Sequence, residues 1–147
     1  MKYFIPFLFL IPSAQAFELQ NIVRAAEIKY ELPEGLLGAM IAVESSGDHK
    51  AFVPSDGVSQ KPSYGLMQIQ LGSARFVGFR GKPKDLMKPE INVEYAAAYL
   101  SWLLQQTKGD YSLALTAYNT GLYSNAVKNK KYGKYVGKVF NAWMKTK

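Results

Sequence analysis

The stretch Leu37-Gly38-Ala39-Met40-Ile41-Ala42-Val43-Glu44-Ser45-Ser46-Gly47 constrains this chain more than any other. Read as a helix, it puts Leu37, Met40, Ile41 and Glu44 on one stripe, the i, i+3, i+4, i+7 spacing of a buried face. The last member of that stripe is a carboxylate. Gly47 follows closely and is a good helix stop. The stretch therefore delivers an acid, on a buried face, at a helix C-terminus. Desolvation and the partial negative charge of the helix end both disfavour the anion. A carboxyl group that keeps its proton near neutral pH is a general acid, so the sequence predicts a site built around Glu44.

The rest of the chain has the material for such a site. Its 147 residues suit one domain. With 48% hydrophobic and 20% charged residues, the composition supports a packed core and argues against disorder. The absence of cysteine excludes disulfides and thiolate metal sites. His49 is the sole histidine, which argues against a histidine-rich metal centre or a His-based triad; it reads as a loop residue. The net charge of +7 suits a polyanionic partner such as nucleic acid, a membrane surface or an acidic wall polymer. The densest cluster is Lys128, Lys130, Lys131, Lys134 and Lys138, interleaved with Tyr132 and Tyr135. It reads either as a solvated helix face or as a surface that attracts an anionic substrate. No motif supports nucleic acid as the partner.

Taken in order, the chain opens like an export signal. Lys2 gives a positive start, residues 3–11 are an apolar run, and Ser13-Ala14-Gln15-Ala16 offers the small residues of a cleavage site. The expectation is a cleavable segment 1–16 and a mature domain 17–147, with no stable membrane anchor after cleavage. An uncleaved anchor or a buried helix is the other reading of that segment. Residues 17–31 follow with helical spacing. The helix bearing Glu44 is expected to start near Pro33 or Glu34, since proline is tolerated in a first turn. Residues 48–63 are polar, contain Pro54, Gly57 and Pro62, and read as a loop of a length that is usually functional. Residues 64–70 are too short to assign. A short helix is expected at 73–78, a basic, turn-rich stretch at 81–89 and the longest helix at 90–108. Asp110 reads as the N-cap of a helix that Asn119-Thr120-Gly121 breaks. Residues 123–129 and 132–144 also read as helical. The whole is a single, predominantly α domain of the α+β class, with one irregular lobe directly after the candidate acid.

Three pieces stand out: Glu44-Ser45, Gly65-Leu66-Met67-Gln68-Ile69 and Ala117-Tyr118-Asn119-Thr120-Gly121. In this order and spacing they resemble the signature motifs of the family 1, SLT-type lytic transglycosylases, over nearly all of the mature region. The small size resembles the specialised members that serve secretion, conjugation or pilus systems. The resemblance implies a lysozyme-like fold, mainly α, with an irregular or β-containing lobe over a cleft. It implies an exported, periplasmic enzyme acting on peptidoglycan glycan strands. Such enzymes cut the β-1,4 bond between N-acetylmuramic acid and N-acetylglucosamine without water and leave 1,6-anhydro ends. Glycosidases ordinarily use two carboxylates. The sequence offers one obvious candidate, which suffices if the substrate's C6 hydroxyl is the nucleophile; such a site needs no metal and no cofactor.

The resemblance also assigns roles. Ser45 is implied to hydrogen-bond near the acid or the sugar, Met67 and Gln68 to line the cleft, and Tyr118 to lie beside Glu44. Tyr135, in Lys134-Tyr135-Val136, resembles a late Tyr-Val motif that lines the cleft. Gly65 permits close backbone approach, and Asn119 either caps a helix or binds sugar. Each has a plainer reading, such as core packing for Met67 or a structural phenol for Tyr118 on the face of Tyr111, Ala114 and Leu115. Two departures stand out: residues 48–63 are longer than the simplest pattern, and Gln70-Leu71-Gly72 stands where a proline is common. A hydrolytic muramidase using Asp48 or Asp56 as a second carboxylate, and a non-catalytic wall-binding assembly subunit, remain alternatives.

Overall fold

The computed structural model describes residues 13–54 and 61–147. Residues 1–12, most of the segment expected to be an export signal, and Asp56 lie outside the described residues. Helix α1 (Ser13–Lys29) is followed by α2 (Leu36–Glu44), strands β1 (Phe52–Val53), β2 (Ser63–Tyr64) and β3 (Ile69–Gln70), and α3 (Leu71–Phe76). A 3-10 turn (Pro83–Met87), α4 (Pro89–Gln106), α5 (Tyr111–Thr120), α6 (Asn125–Lys128) and α7 (Lys134–Met144) complete the chain. The predominantly α domain with a small β-containing lobe is the architecture expected from sequence. Among the described residues no helix is long and apolar enough to cross a membrane.

The central element is α2. Leu36, Leu37 and Met40 are fully buried, and Ala39 and Ile41 nearly so. Each large side chain buried this way contributes about 1.5–3 kcal/mol relative to exposure. The stripe read from sequence is thus widened into a helix buried on most sides. It starts at Leu36, two or three residues later than expected, because Gly35 before it takes a left-handed φ of 84°. Gly35 has no capping side chain. Glu27 of α1 supplies the cap instead: its buried carboxylate accepts from the Leu37 N–H at 3.1 Å, and Arg24 lies 3.5 Å from it.

Helix α7 runs antiparallel to α2. Trp143, near its end, donates from Nε1 to the Glu34 carbonyl at 2.9 Å, beside the start of α2. Tyr135, in its first turn, meets Glu44 at the end of α2. Val136 and Val139 are the buried members of the expected α7 stripe. On the opposite side, Lys29 and Tyr30 both bond the Glu94 carboxylate and tie α1 to α4.

The lobe corrects the plain-loop reading of residues 48–63. It is a three-stranded antiparallel sheet of order β1-β2-β3, with Phe52 opposite Tyr64 and Tyr64 opposite Ile69. Residues 65–68 form the turn between β2 and β3, closed by the Gln68 N–H on the Gly65 carbonyl at 3.1 Å. Leu66 and Met67 point into the core from this turn. Helix α5 also departs from expectation: it runs through Asn119 and Thr120 and stops only at Gly121, whose φ is 95°. Asp110 is its N-cap as read, accepting from the Leu113 N–H at 2.9 Å.

Candidate active site

Glu44 is the last residue of α2, and three features of the chain converge on it. The backbone turns sharply after it. The Ser45 N–H and hydroxyl both donate to the Ile41 carbonyl, at 3.1 and 3.3 Å. Ser46 and Gly47 then take positive φ values of 54° and 80°. The Ser45 hydroxyl is therefore turned back onto its own helix. Asp48 is exposed and its carboxylate accepts from the Lys50 N–H at 2.9 Å, holding the following turn.

The second feature is the turn between β2 and β3. Gly65 has a φ of 67°, and a Cβ there would lie 2.5 Å from Asn92 Nδ2 and 3.0 Å from the Leu86 carbonyl. The close approach read from sequence is thus made to a side chain, Asn92 of α4. That amide is fully buried and fully used. Its nitrogen donates to the Tyr64 and Leu86 carbonyls, both at 2.7 Å, and its oxygen accepts from the Met67 N–H at 2.8 Å. Met67 itself is fully buried. Its side chain is core rather than cleft wall, and its backbone is the part that reaches toward the site. Gln68 is half-buried with a φ of 48°. Its amide nitrogen donates to the Ala51 and Gly65 carbonyls at 3.2 and 3.0 Å. It thereby straps the segment leaving Glu44 to the turn.

The third feature is a pair of phenols. Tyr118, from α5, donates to the Met67 carbonyl at 2.8 Å and packs 5.9 Å from the Tyr99 ring. Asn119, its neighbour, is exposed. The Tyr135 hydroxyl is buried and meets no partner at hydrogen-bonding geometry among the described residues. It nonetheless interacts electrostatically with the Glu44 carboxyl.

The electrostatics follow from burial. Desolvation pushes the Glu44 carboxyl from 4.5 up to about 7, and the Tyr135 hydroxyl pulls weakly the other way. Among the described residues no cation and no second carboxylate contributes. Burial, and then the Glu44 charge, hold the Tyr118 and Tyr135 phenols well above their ordinary range, so both stay protonated. A carboxyl near 7 is half-ionised at neutral pH and is able both to give and to take a proton. Among the described residues no group of three or more His, Asp or Glu side chains is arranged to hold a metal ion. A shallow depression of about 360 Å³ between α1 and α4, lined by Tyr30, Leu32, Leu104 and Tyr111, contains none of these residues.

Sequence reading overlooked Asn92 and Glu27. Both are polar residues within apolar helical faces, Asn92 beside Val93 and Ala96, Glu27 beside Val23 and Ala26. That interruption is the signal that would have found them.

The model of the transglycosylase SLT domain matches residues 21–141. The endo-type membrane-bound lytic murein transglycosylases A of Salmonella paratyphi B and Salmonella typhimurium are each 33% identical over 100 residues, or 63% of this chain. The match spans 46% of the length of those relatives. The 70 kDa soluble lytic transglycosylase of Escherichia coli superposes with a TM-score of 0.71 at 21% identity, covering 84% of this chain and 23% of that one. An inactive mutant of the lytic transglycosylase Slt from Pseudomonas aeruginosa gives 0.69 at 21% identity over the same shares. These likenesses bear out the lysozyme-like SLT fold read from the motifs.

Proposed function

From the premise that the chain belongs to the transglycosylase SLT domain family, we propose that it is a peptidoglycan lytic transglycosylase with Glu44 as its single acid and base. One observation carries the reading: a desolvated carboxyl near 7 that interacts with two protonated phenols and, among the described residues, with no other charged group. The named activity of the Salmonella relatives supports the same chemistry.

The reaction needs one proton to travel out and back. Protonated Glu44 gives its proton to the glycosidic oxygen as the bond from C1 of N-acetylmuramic acid breaks. The substrate's N-acetyl group stabilises C1. The Glu44 carboxylate then takes the proton of the C6 hydroxyl as that oxygen closes onto C1, which leaves a 1,6-anhydro end and restores the acid. No water is consumed, so no second carboxylate has to hold one. A carboxyl near 7 suits both half-steps, since neither proton transfer is far uphill at neutral pH. In this reading the turn at residues 65–68, Tyr118, Asn119 and Tyr135 shape the cleft around the muramyl sugar.

The enzyme would work in the envelope, exported through residues 1–16 and matured at residue 17, and would open the wall locally for a secretion, conjugation or pilus apparatus. Digestion of purified sacculi tests the chemistry. Mass spectrometry of the products is expected to find anhydromuramic ends; reducing, hydrated ends alone would replace this reading with a hydrolytic muramidase.

A further inference from the structure

The charge of this chain is segregated along its length. Residues 1–110 hold eleven basic and eleven acidic side chains and carry no net charge, whereas residues 111–147 hold seven lysines and no acid, the whole of the +7. Four of those lysines sit on one excursion of the backbone. The chain leaves the candidate site at Tyr118 and returns to it at Tyr135. Between these two residues it exposes Lys128, Lys130, Lys131 and Lys134, together with the rings of Tyr123 and Tyr132. None of the four lysines is paired with a carboxylate among the described residues.

This excursion is built, not slack. Ser124 caps α6 by accepting from the Val127 N–H at 3.2 Å, and its hydroxyl shares a 2.8 Å hydrogen bond with that of Thr120 in α5. The far end of α6 is closed by the Lys131 N–H on the Ala126 carbonyl at 2.8 Å and the Lys130 N–H on the Val127 carbonyl at 3.1 Å. That pairing needs a left-handed residue, and Lys130 supplies it with a φ of 49°. A lysine there costs about 1 kcal/mol where glycine is the usual choice. Crowding like charges adds self-repulsion. The hydrogen bonds that close α6 offset the first cost, but no carboxylate among the described residues offsets the second, which points to an anion outside the molecule.

We propose that this lysine-bearing excursion is a subsite for the carboxylates of the peptide branches of peptidoglycan, next to the sugar held at Glu44. The proposal rests on the peptidoglycan reading above. Because the excursion starts and ends at residues that interact with Glu44, a polymer held at the site is the ligand it is placed to meet. Lysines spread over seven positions suit carboxylates repeated along a polymer better than one small anion.

The test is co-sedimentation with purified sacculi in a Glu44→Gln background, which requires no catalysis. The parent is expected to bind at low ionic strength and to weaken roughly tenfold at high salt. Lys128→Gln/Lys130→Gln/Lys131→Gln is expected to bind on the order of tenfold more weakly at low salt, with a flattened salt dependence. Lys50→Gln/Arg75→Gln/Lys84→Gln removes the same charge from exposed positions elsewhere and is expected to bind like the parent. Equal losses in both triple variants would reduce the effect to net charge and overturn the subsite, as would no loss in either. A loss confined to vesicles of phosphatidylglycerol, with sacculus binding intact, would assign the lysines to a membrane surface instead. Failure of the wild-type chain to form anhydro ends would sink the proposed chemistry while leaving this binding result readable.

Discussion

The hydroxyl of Tyr118 donates a 2.8 Å hydrogen bond to the carbonyl of Met67. The bond joins the last turns of α5 to the turn between β2 and β3. It also commits the one proton that the phenol has, so the Tyr118 hydroxyl has none to donate to Glu44 while that bond is made. Tyr118→Phe leaves the carbonyl of the buried Met67 without this donor. We expect a loss of about 1–3 kcal/mol of stability, read from urea unfolding at constant pH. A loss under about 0.5 kcal/mol, the lower limit for a typical net hydrogen bond, would show that Asn92 and Gln68 hold the turn without help from Tyr118.

Gly65→Ala tests the other side of the same turn. The added methyl would lie 2.5 Å from Asn92 Nδ2, and the backbone already has a φ of 67° that a side chain resists. Asn92 has no slack, since its three bonds of 2.7–2.8 Å fix it between Tyr64, Leu86 and Met67. Overpacking of this kind costs about 1–3 kcal/mol, and the left-handed backbone adds about 1–2 kcal/mol. Urea unfolding is expected to show a loss in that combined range, and kcat to fall with it if the turn shapes the cleft as proposed. A variant as stable as the wild type would mean that α4 yields more readily than these contacts imply.

Glu44→Gln is expected to abolish sacculus digestion to within about 10²–10⁴-fold of the wild-type rate, the usual worth of a general acid. Its effect on stability has the opposite sign. The folded carboxyl titrates at about 7, against 4.5 for an unperturbed one. Below 4.5 both folded and unfolded chains are protonated, and the group contributes nothing. Between 4.5 and 7 the unfolded chain ionises while the folded chain holds its proton, so stability falls as pH rises; above 7 the loss is complete. That loss is on the order of 3 kcal/mol, and glutamine escapes it. The variant is therefore expected to match the wild type near pH 4 and to exceed it near pH 8 in urea unfolding. Equal stability at both pH values would show that Glu44 is not desolvated.

How far sequence reaches into this molecule is visible at Glu44 and at Met67. The desolvated carboxyl at the end of α2 was legible because a helix repeat has a fixed period, and a carboxylate at the end of an apolar stripe breaks that pattern conspicuously. Asp110 and the α7 stripe of Val136 and Val139 were legible for the same local reason. The turn at residues 65–68 was not. Its apolar side chains look like a short core segment, and only a long-range partner, Asn92 of α4, makes them a turn tucked inward. The start of α2 was misplaced likewise, since a carboxylate from α1 caps it in place of a local residue. Local signals fix what an element is; the partner across the fold fixes where it ends.

Tyr135→Phe separates the second phenol from the first. In the proposed mechanism the free enzyme must hold Glu44 protonated, so kcat/KM is expected to be level on the acid side and to fall tenfold per pH unit above about 7, the value at which the group titrates. The Tyr135 hydroxyl favours the Glu44 anion and so lowers that value, against the larger effect of desolvation. Removing the hydroxyl leaves desolvation unopposed. The carboxyl then keeps its proton to higher pH, and the alkaline limb of the profile moves upward. Near pH 4, where Glu44 is protonated in both states, stability is expected to hold or to rise, because the buried hydroxyl meets no regular hydrogen-bond partner among the described residues. This is the reverse of Tyr118→Phe, in which a buried carbonyl is stranded. An unmoved alkaline limb together with a stability loss of 1 kcal/mol or more, the size of a typical hydrogen bond, would show that Tyr135 serves the fold and not the acid.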